Sequence, residues 1–113
     1  MAATASQRLL GAWRLVSMSR PGELPSTDVD GLIIYDASGF MSAQIHSAGF
    51  HAYFGTYSLD ENATTVTHHR LANTDAGAPD DVVRSYRFVS DNEIVLEMLN
   101  YRGTELTFRR AGA

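Results

Sequence analysis

Apolar and polar side chains alternate with a period of two through most of the chain, and clusters of Gly, Pro, Asp, Asn and Ser break the alternation at short intervals. That pattern predicts half-buried β-strands joined by tight connections. Only residues 4–10, ahead of the first alternation, suit a short helical turn. The first strand is expected over residues 12–19, with Trp13, Leu15 and Ser17 on one face and Arg14, Val16 and Met18 on the other. A Pro-containing loop, residues 20–27, ends it. Strands over 31–35 and 40–46 flank Asp36-Ala37-Ser38-Gly39, where Asp and Ser bond nearby backbone and Gly supplies a positive φ. Strands over 53–59 and 64–71 meet across Asp60-Glu61-Asn62-Ala63 as a second hairpin, the latter rich in β-branched residues. After the loop-like stretch 73–80, further strands are expected over 82–89, 94–101 and 104–110.

Eight short strands with tight connections predict an all-β fold, an antiparallel up-and-down sheet closed into a barrel. Closure removes both exposed edges, and an eight-stranded interior is wide enough only for side chains or one small ligand. The 113 residues fit one domain spanning 1–113. Zero cysteines take thiolate metal sites, thiol nucleophiles and disulfides off the table and fit a reducing compartment. The first residues have neither the basic start nor the apolar run of a secretory signal, so a cytoplasmic location is expected. The formal charge is −4, with no Lys and only scattered Arg, which gives no field to hold phosphates; neither nucleic acid nor membrane is an expected partner.

Several blocks resemble, in order and spacing, the bacterial and fungal lipocalin-like domain family, a calycin-type barrel. They are Leu10-Gly11-Ala12-Trp13-Arg14-Leu15-Val16-Ser17, Gly31-Leu32-Ile33-Ile34-Tyr35, Ser38-Gly39-Phe40-Met41-Ser42-Ala43-Gln44, Phe54-Gly55-Thr56-Tyr57, Val66-Thr67-His68-His69 and Leu106-Thr107-Phe108-Arg109-Arg110. The resemblance covers nearly the whole chain. It implies that Gly11 and Trp13 form the floor of the barrel and that a terminal Arg lays its guanidinium on the indole. Arg110, on the face of Phe108, is the expected partner, with Arg109 pointing out. The segment between Ile45 and Tyr53 is shorter than the family pattern, which implies an open mouth without a lid.

Alternation also nominates the lumen. His68 shares a face with Val66 and Arg70; Tyr57 with Gly55 and Leu59; Arg84 with Tyr86 and Phe88; Leu96 and Met98 with Ile94. These residues, with Ser17 and His46, form the expected ligand-binding lining, mostly apolar with a few polar groups. His68 is the candidate proton carrier, since an imidazole takes and returns a proton without a cofactor; equally, it is a satisfied polar residue of the wall. Arg84 inside implies an anionic or carbonyl-bearing ligand, or else a rim ion pair with Asp80 or Asp81. Tyr57 and Tyr86 are candidate hydrogen-bond donors, while Tyr35, Tyr53 and Tyr101 are assigned to packing. Metal binding is not expected, because His68 and His69 point to opposite faces and only His46 could join His68. No nucleophile elbow or phosphate-binding Gly loop occurs.

The sequence therefore predicts a cavity for one small, largely apolar organic molecule bearing a carbonyl or hydroxyl. The expected activity is that of a cofactor-free isomerase, cyclase or lyase, with proton transfer by His68 and charge stabilisation by Arg84 and Tyr57 or Tyr86, and the catalytic members of the family it resembles are enzymes of this kind. The alternative is a non-catalytic carrier or sensor. A homodimer through Val16, Met18 and Val95, apolar on the outward parity, is a further expectation.

Overall fold

A computed structural model describes residues 3–75 and 77–112. Ala76 of the expected 73–80 loop and the extreme ends of the 1–113 span fall outside that description. One short helix, α1 (Ala5–Leu9), precedes eight strands: β1 (Gly11–Ser19), β2 (Asp30–Tyr35), β3 (Phe40–His46), β4 (Phe50–Asp60), β5 (Thr65–Asn73), β6 (Asp81–Ser90), β7 (Glu93–Met98) and β8 (Glu105–Arg110). Each strand pairs antiparallel with its neighbours in sequence, and β1 pairs with β8, so the sheet is a closed up-and-down barrel. No described helix is long and apolar enough to cross a membrane.

The chain enters through α1, whose first turn is held by a reciprocal capping box. Thr4 Oγ1 accepts from the Gln7 N–H at 3.2 Å, and Gln7 Oε1 accepts from the Thr4 N–H at 2.9 Å. A five-residue helix has few internal bonds, so the carbonyls at its C-terminal end need partners. Trp13 Nε1 donates to the Leu9 carbonyl at 2.8 Å, and the Arg110 guanidinium donates to those of Leu10 at 2.7 Å and Arg8 at 2.8 Å. The same guanidinium lies 4.1 Å from the Trp13 ring centroid. One cation thus seals the floor, caps the helix and ties β8 to the entering chain. Arg109 points outward and pairs with Glu93 at 3.0 Å. Gly11 sits at φ +111°, and a Cβ there would meet Arg110 Nη1 at 3.2 Å, so the Arg clasp requires glycine twice over.

Register is set by strict alternation except at bulges, and the bulges account for the departures from expectation. In β1 the pairing with β8 shifts between Leu15 and Ser17. Beyond that shift Met18 stands opposite inward-facing Leu106, while Ser17 stands opposite Thr107 on the outer face. Ser17 therefore leaves the lumen and Met18 enters it, the reverse of the simple parity. Val95 keeps its outward parity but is only 7% exposed, between Arg87 and Thr107 in the ladder. Neither Met18 nor Val95 is a free dimer surface. A second shift lies between β4 and β5, where Leu71 is the extra residue. At that site Gly55 passes so close to β5 that a Cβ would lie 1.9 Å from the His69 carbonyl oxygen. The last strand pair also differs: β7 stops at Met98 rather than continuing to 101, and the chain turns through Leu99–Gly103, closed by Tyr101 N–H to Met98 O at 3.0 Å.

Trp13, Tyr35, Ile94 and Phe108 are almost wholly buried and fill the end of the barrel beside α1. The opposite end, bounded by the β1–β2, β3–β4, β5–β6 and β7–β8 connections, stays open.

Candidate functional site

The open end holds a cavity of about 590 Å³. Its apolar wall comes from inward positions on five strands, with Met18, Ile33, Ile45, Leu96, Met98 and Leu106 prominent. The polar side chains deepest in the cavity come from β4, β5 and β6, namely Tyr53, His68, Arg70 and Arg84, and further polar residues, Arg20, His51, Asp75 and Asn100 among them, ring the mouth. The size and the mixture suit one small organic ligand rather than a filled core.

His68 lies at the bottom of this polar side, fully buried. Tyr35 Oη is 2.6 Å from its Nε2, and Tyr53 Oη is 2.8 Å from its Nδ1. Both ring nitrogens are therefore occupied. Burial, reinforced by the nearby Arg84 and Arg70 guanidinium groups and then His69, lowers the His68 pKa from 6.5 to about 3. Burial pushes the Tyr35 and Tyr53 hydroxyls up, Tyr53 against the pull of Arg84. The three side chains form a neutral hydrogen-bonded chain at ordinary pH; the charge beside it comes from Arg70 and Arg84, and Arg20 and Asp75 add charge to the cavity lining at the mouth.

Arg84 is 6% exposed, and its Nη1 donates to Asn100 Oδ1 at 2.9 Å, a contact made possible by the turn after β7. It forms no ion pair with Asp80 or Asp81; Asp81 instead lies 3.1 Å from His69 Nδ1 on the outer face. Arg70 Nε donates to the Pro79 carbonyl at 3.1 Å, and its guanidinium stands 5.1 Å from the Tyr53 ring centroid. At the mouth His51 Nδ1 and Asp75 Oδ1 are 2.9 Å apart.

Other expected site residues lie elsewhere. Tyr57 faces inward but near the closed end, where its hydroxyl donates to the Asp36 carbonyl at 2.9 Å and its ring meets Tyr35 edge-on at 4.9 Å. Tyr86 and Phe88 pack together at 5.7 Å, with Phe88 6.5 Å from Trp13, and so belong to the filled half. His46 is exposed on the outer face, because Met41, Ala43 and Ile45 take the inward positions of β3. It does not join His68, and no described cluster of His, Asp or Glu has metal-binding geometry. Leu96 and Met98 do line the cavity. Tyr35 and Tyr53, assigned to packing, are the partners of His68. On the outside, Ser58 Oγ, His69 and Asp81 form a row with Ser58 Oγ 2.9 Å from His69 Nε2; it lies on the exposed sheet surface, where such charge pairs contribute little.

No protein-family model matches the chain, and no curated protein matches it. Solved structures do. A lipocalin-like protein from Bacteroides uniformis is similar at a TM-score of 0.67 and 22% identity, covering 91% of this chain and 98% of that one. An uncharacterized protein from Bacteroides eggerthii follows at 0.62 and 15%, covering 90% and 98%. A de novo designed fluorescence-activating β-barrel matches at 0.61 and 13%, covering 96% and 99%. At these identities the likeness establishes the lipocalin-like barrel fold.

Proposed function

We propose that the protein binds one small, largely apolar organic molecule, bearing a carbonyl or other polar oxygen, in the open-end cavity. The observation that carries this reading is the cavity itself: about 590 Å³, with a largely apolar wall into which Tyr53, His68, Arg70 and Arg84 project. A filled barrel would need no such hollow, and Arg84 at its wall would have no purpose there. The resemblance to the lipocalin-like domain family and the fold shared with the Bacteroides uniformis protein support the same reading.

Binding without chemistry, as a carrier or sensor, is the form the geometry favours. A general base must reach the proton it removes, and both nitrogens of His68 are already engaged by tyrosines. The cofactor-free isomerase, cyclase or lyase is the second reading. What supports it is the unbroken chain from Tyr53 at the cavity wall through His68 to Tyr35, along which a proton could pass. The test is titration with N-phenyl-1-naphthylamine, an uncharged apolar fluorophore. Saturable 1:1 enhancement, lost in Met98→Trp, is expected; absence of saturable binding overturns the proposal. Recovery of bound compounds unchanged across pH separates carrier from enzyme.

A further inference from the structure

The lining of the open end holds three arginines, Arg20, Arg70 and Arg84, of which Arg70 and Arg84 are buried on inward strand positions with no described carboxylate paired to either. Arg84 is 6% exposed and Arg70 8%, yet their polar partners are neutral: the Asn100 side-chain carbonyl and the Tyr53 hydroxyl for Arg84, and the Pro79 backbone carbonyl for Arg70. Among the described residues, every ion pair involves other groups. Asp75, the acid at the mouth, is engaged by His51. A cation taken out of water costs several kcal/mol unless an anion or a full set of acceptors replaces the water. For Arg84, the groups on this chain supply two acceptors, both uncharged: Asn100 Oδ1 and the Tyr53 hydroxyl oxygen. The only buried side-chain nitrogen left without a partner among the described residues is Arg8 Nε, so the remaining Arg84 N–H groups are open to the cavity.

The direction of the tyrosine–histidine chain adds a third donor. Tyr35 lies beneath the cavity, almost wholly buried, and among the described residues His68 Nε2 is the one partner of its hydroxyl. If Nε2 carried the hydrogen, the Tyr35 O–H would have no acceptor, a cost of about 1–3 kcal/mol. So Tyr35 donates to Nε2. A neutral imidazole then carries its hydrogen on Nδ1, which donates to Tyr53 Oη at 2.8 Å. With its oxygen accepting from His68, Tyr53 keeps its own hydrogen for whatever enters the cavity. His68 acts as a positioning residue that fixes which way Tyr53 donates.

On the reading that the cavity binds a small molecule, we infer that its ligand is an apolar acid, whose anionic oxygen group, a carboxylate or its equivalent, is held by Arg84 and the Tyr53 hydroxyl. Two guanidinium groups and a hydroxyl are all donors, and a carboxylate offers acceptors to match them. A neutral alcohol of the same length leaves Arg84 without a counter-charge. An ammonium is repelled.

The experiment compares decanoate, decan-1-ol and decylamine at pH 7 as competitors of N-phenyl-1-naphthylamine. Decanoate should bind at least about tenfold more tightly than decan-1-ol, the scale of one charge-assisted contact, and decylamine more weakly than both. Arg84→Met should erase the preference for decanoate over decan-1-ol, read as the ratio of the two affinities within the variant. Tyr53→Phe should reduce decanoate affinity by a smaller factor, and Arg84→Lys should retain part of the preference. Equal binding of decanoate and decan-1-ol by the unaltered protein overturns the inference while leaving the binding reading intact. Failure of both the fluorophore and all three competitors to bind overturns the binding reading itself. Acetate binding as tightly as decanoate also overturns the inference, since the site would then hold any small anion.

Discussion

Tyr35 Oη and His68 Nε2 stand 2.6 Å apart in the interior of the barrel, joining β2 to β5 across the lumen. The two residues are each other's means of burial, because neither polar atom meets water there. Tyr35→Phe keeps the ring and removes the hydroxyl, leaving the imidazole nitrogen unpaired. Stability in urea should fall by about 1–3 kcal/mol. Nitrogen-15 NMR of His68 should show hydrogen on Nδ1 in the unaltered protein and a changed tautomer in the variant.

The pH dependence of stability follows from the same imidazole. Folded, it titrates at about 3, and in the unfolded chain near its ordinary 6.5. Between those values the unfolded chain binds a proton that the folded protein refuses. The stability due to His68 is therefore complete above pH 6.5 and drains away as pH falls toward 3. Denaturant titrations from pH 7 to 4 should show this loss, and His68→Gln should reduce the slope by about 1.4 kcal/mol per pH unit.

At the closed end, the two adjacent arginines of β8 should behave differently. Arg110→Ala removes the cation over Trp13 and two bonds to carbonyls at the end of α1, and should cost about 2–4 kcal/mol. Arg109→Ala breaks an exposed pair with Glu93 and should cost about 1 kcal/mol or less. Thermal melts of both variants check the contrast.

Gly55→Ala should be severely destabilising, by more than about 2 kcal/mol, because its Cβ would fall on the His69 carbonyl oxygen and the clash is with backbone. Gly49→Ala is the control: its nearest neighbour is a side-chain atom 4.0 Å away, and its stability should change by about 0.5 kcal/mol or less. Chemical denaturation of the pair distinguishes lack of space from loss of backbone freedom.

Much of this architecture was legible in the chain because turn chemistry and alternation are local. Asp36 to Gly39 specifies its own hairpin, and Trp13, Leu15 and Phe108 their own face. Facing Tyr53 inward required only extending the Gly55, Tyr57 and Leu59 set backwards, and Tyr35 shares the parity of Ile33; the signal existed. The bulge that exchanged Ser17 for Met18 has no compositional mark, since it arises from fitting β1 against β8. Depth was the other hidden quantity. Alternation tells which face a residue takes, whereas height along the barrel depends on the stagger between strands. Tyr57, Tyr86 and Phe88 therefore had the right face and the wrong level.

The pairing of β1 with β8 also dictates when the molecule can be finished. Trp13 and Arg110 meet across nearly the full run of strands, so during synthesis β1 has no second neighbour until β8 has cleared the ribosome. Up to that moment the growing sheet has two unprotected margins, at β1 and at its newest strand, both able to pair with another chain. Maturation of this protein is thus a late, nearly all-at-once event, and shielding of the nascent chain matters more for it than for a fold assembled from neighbouring segments.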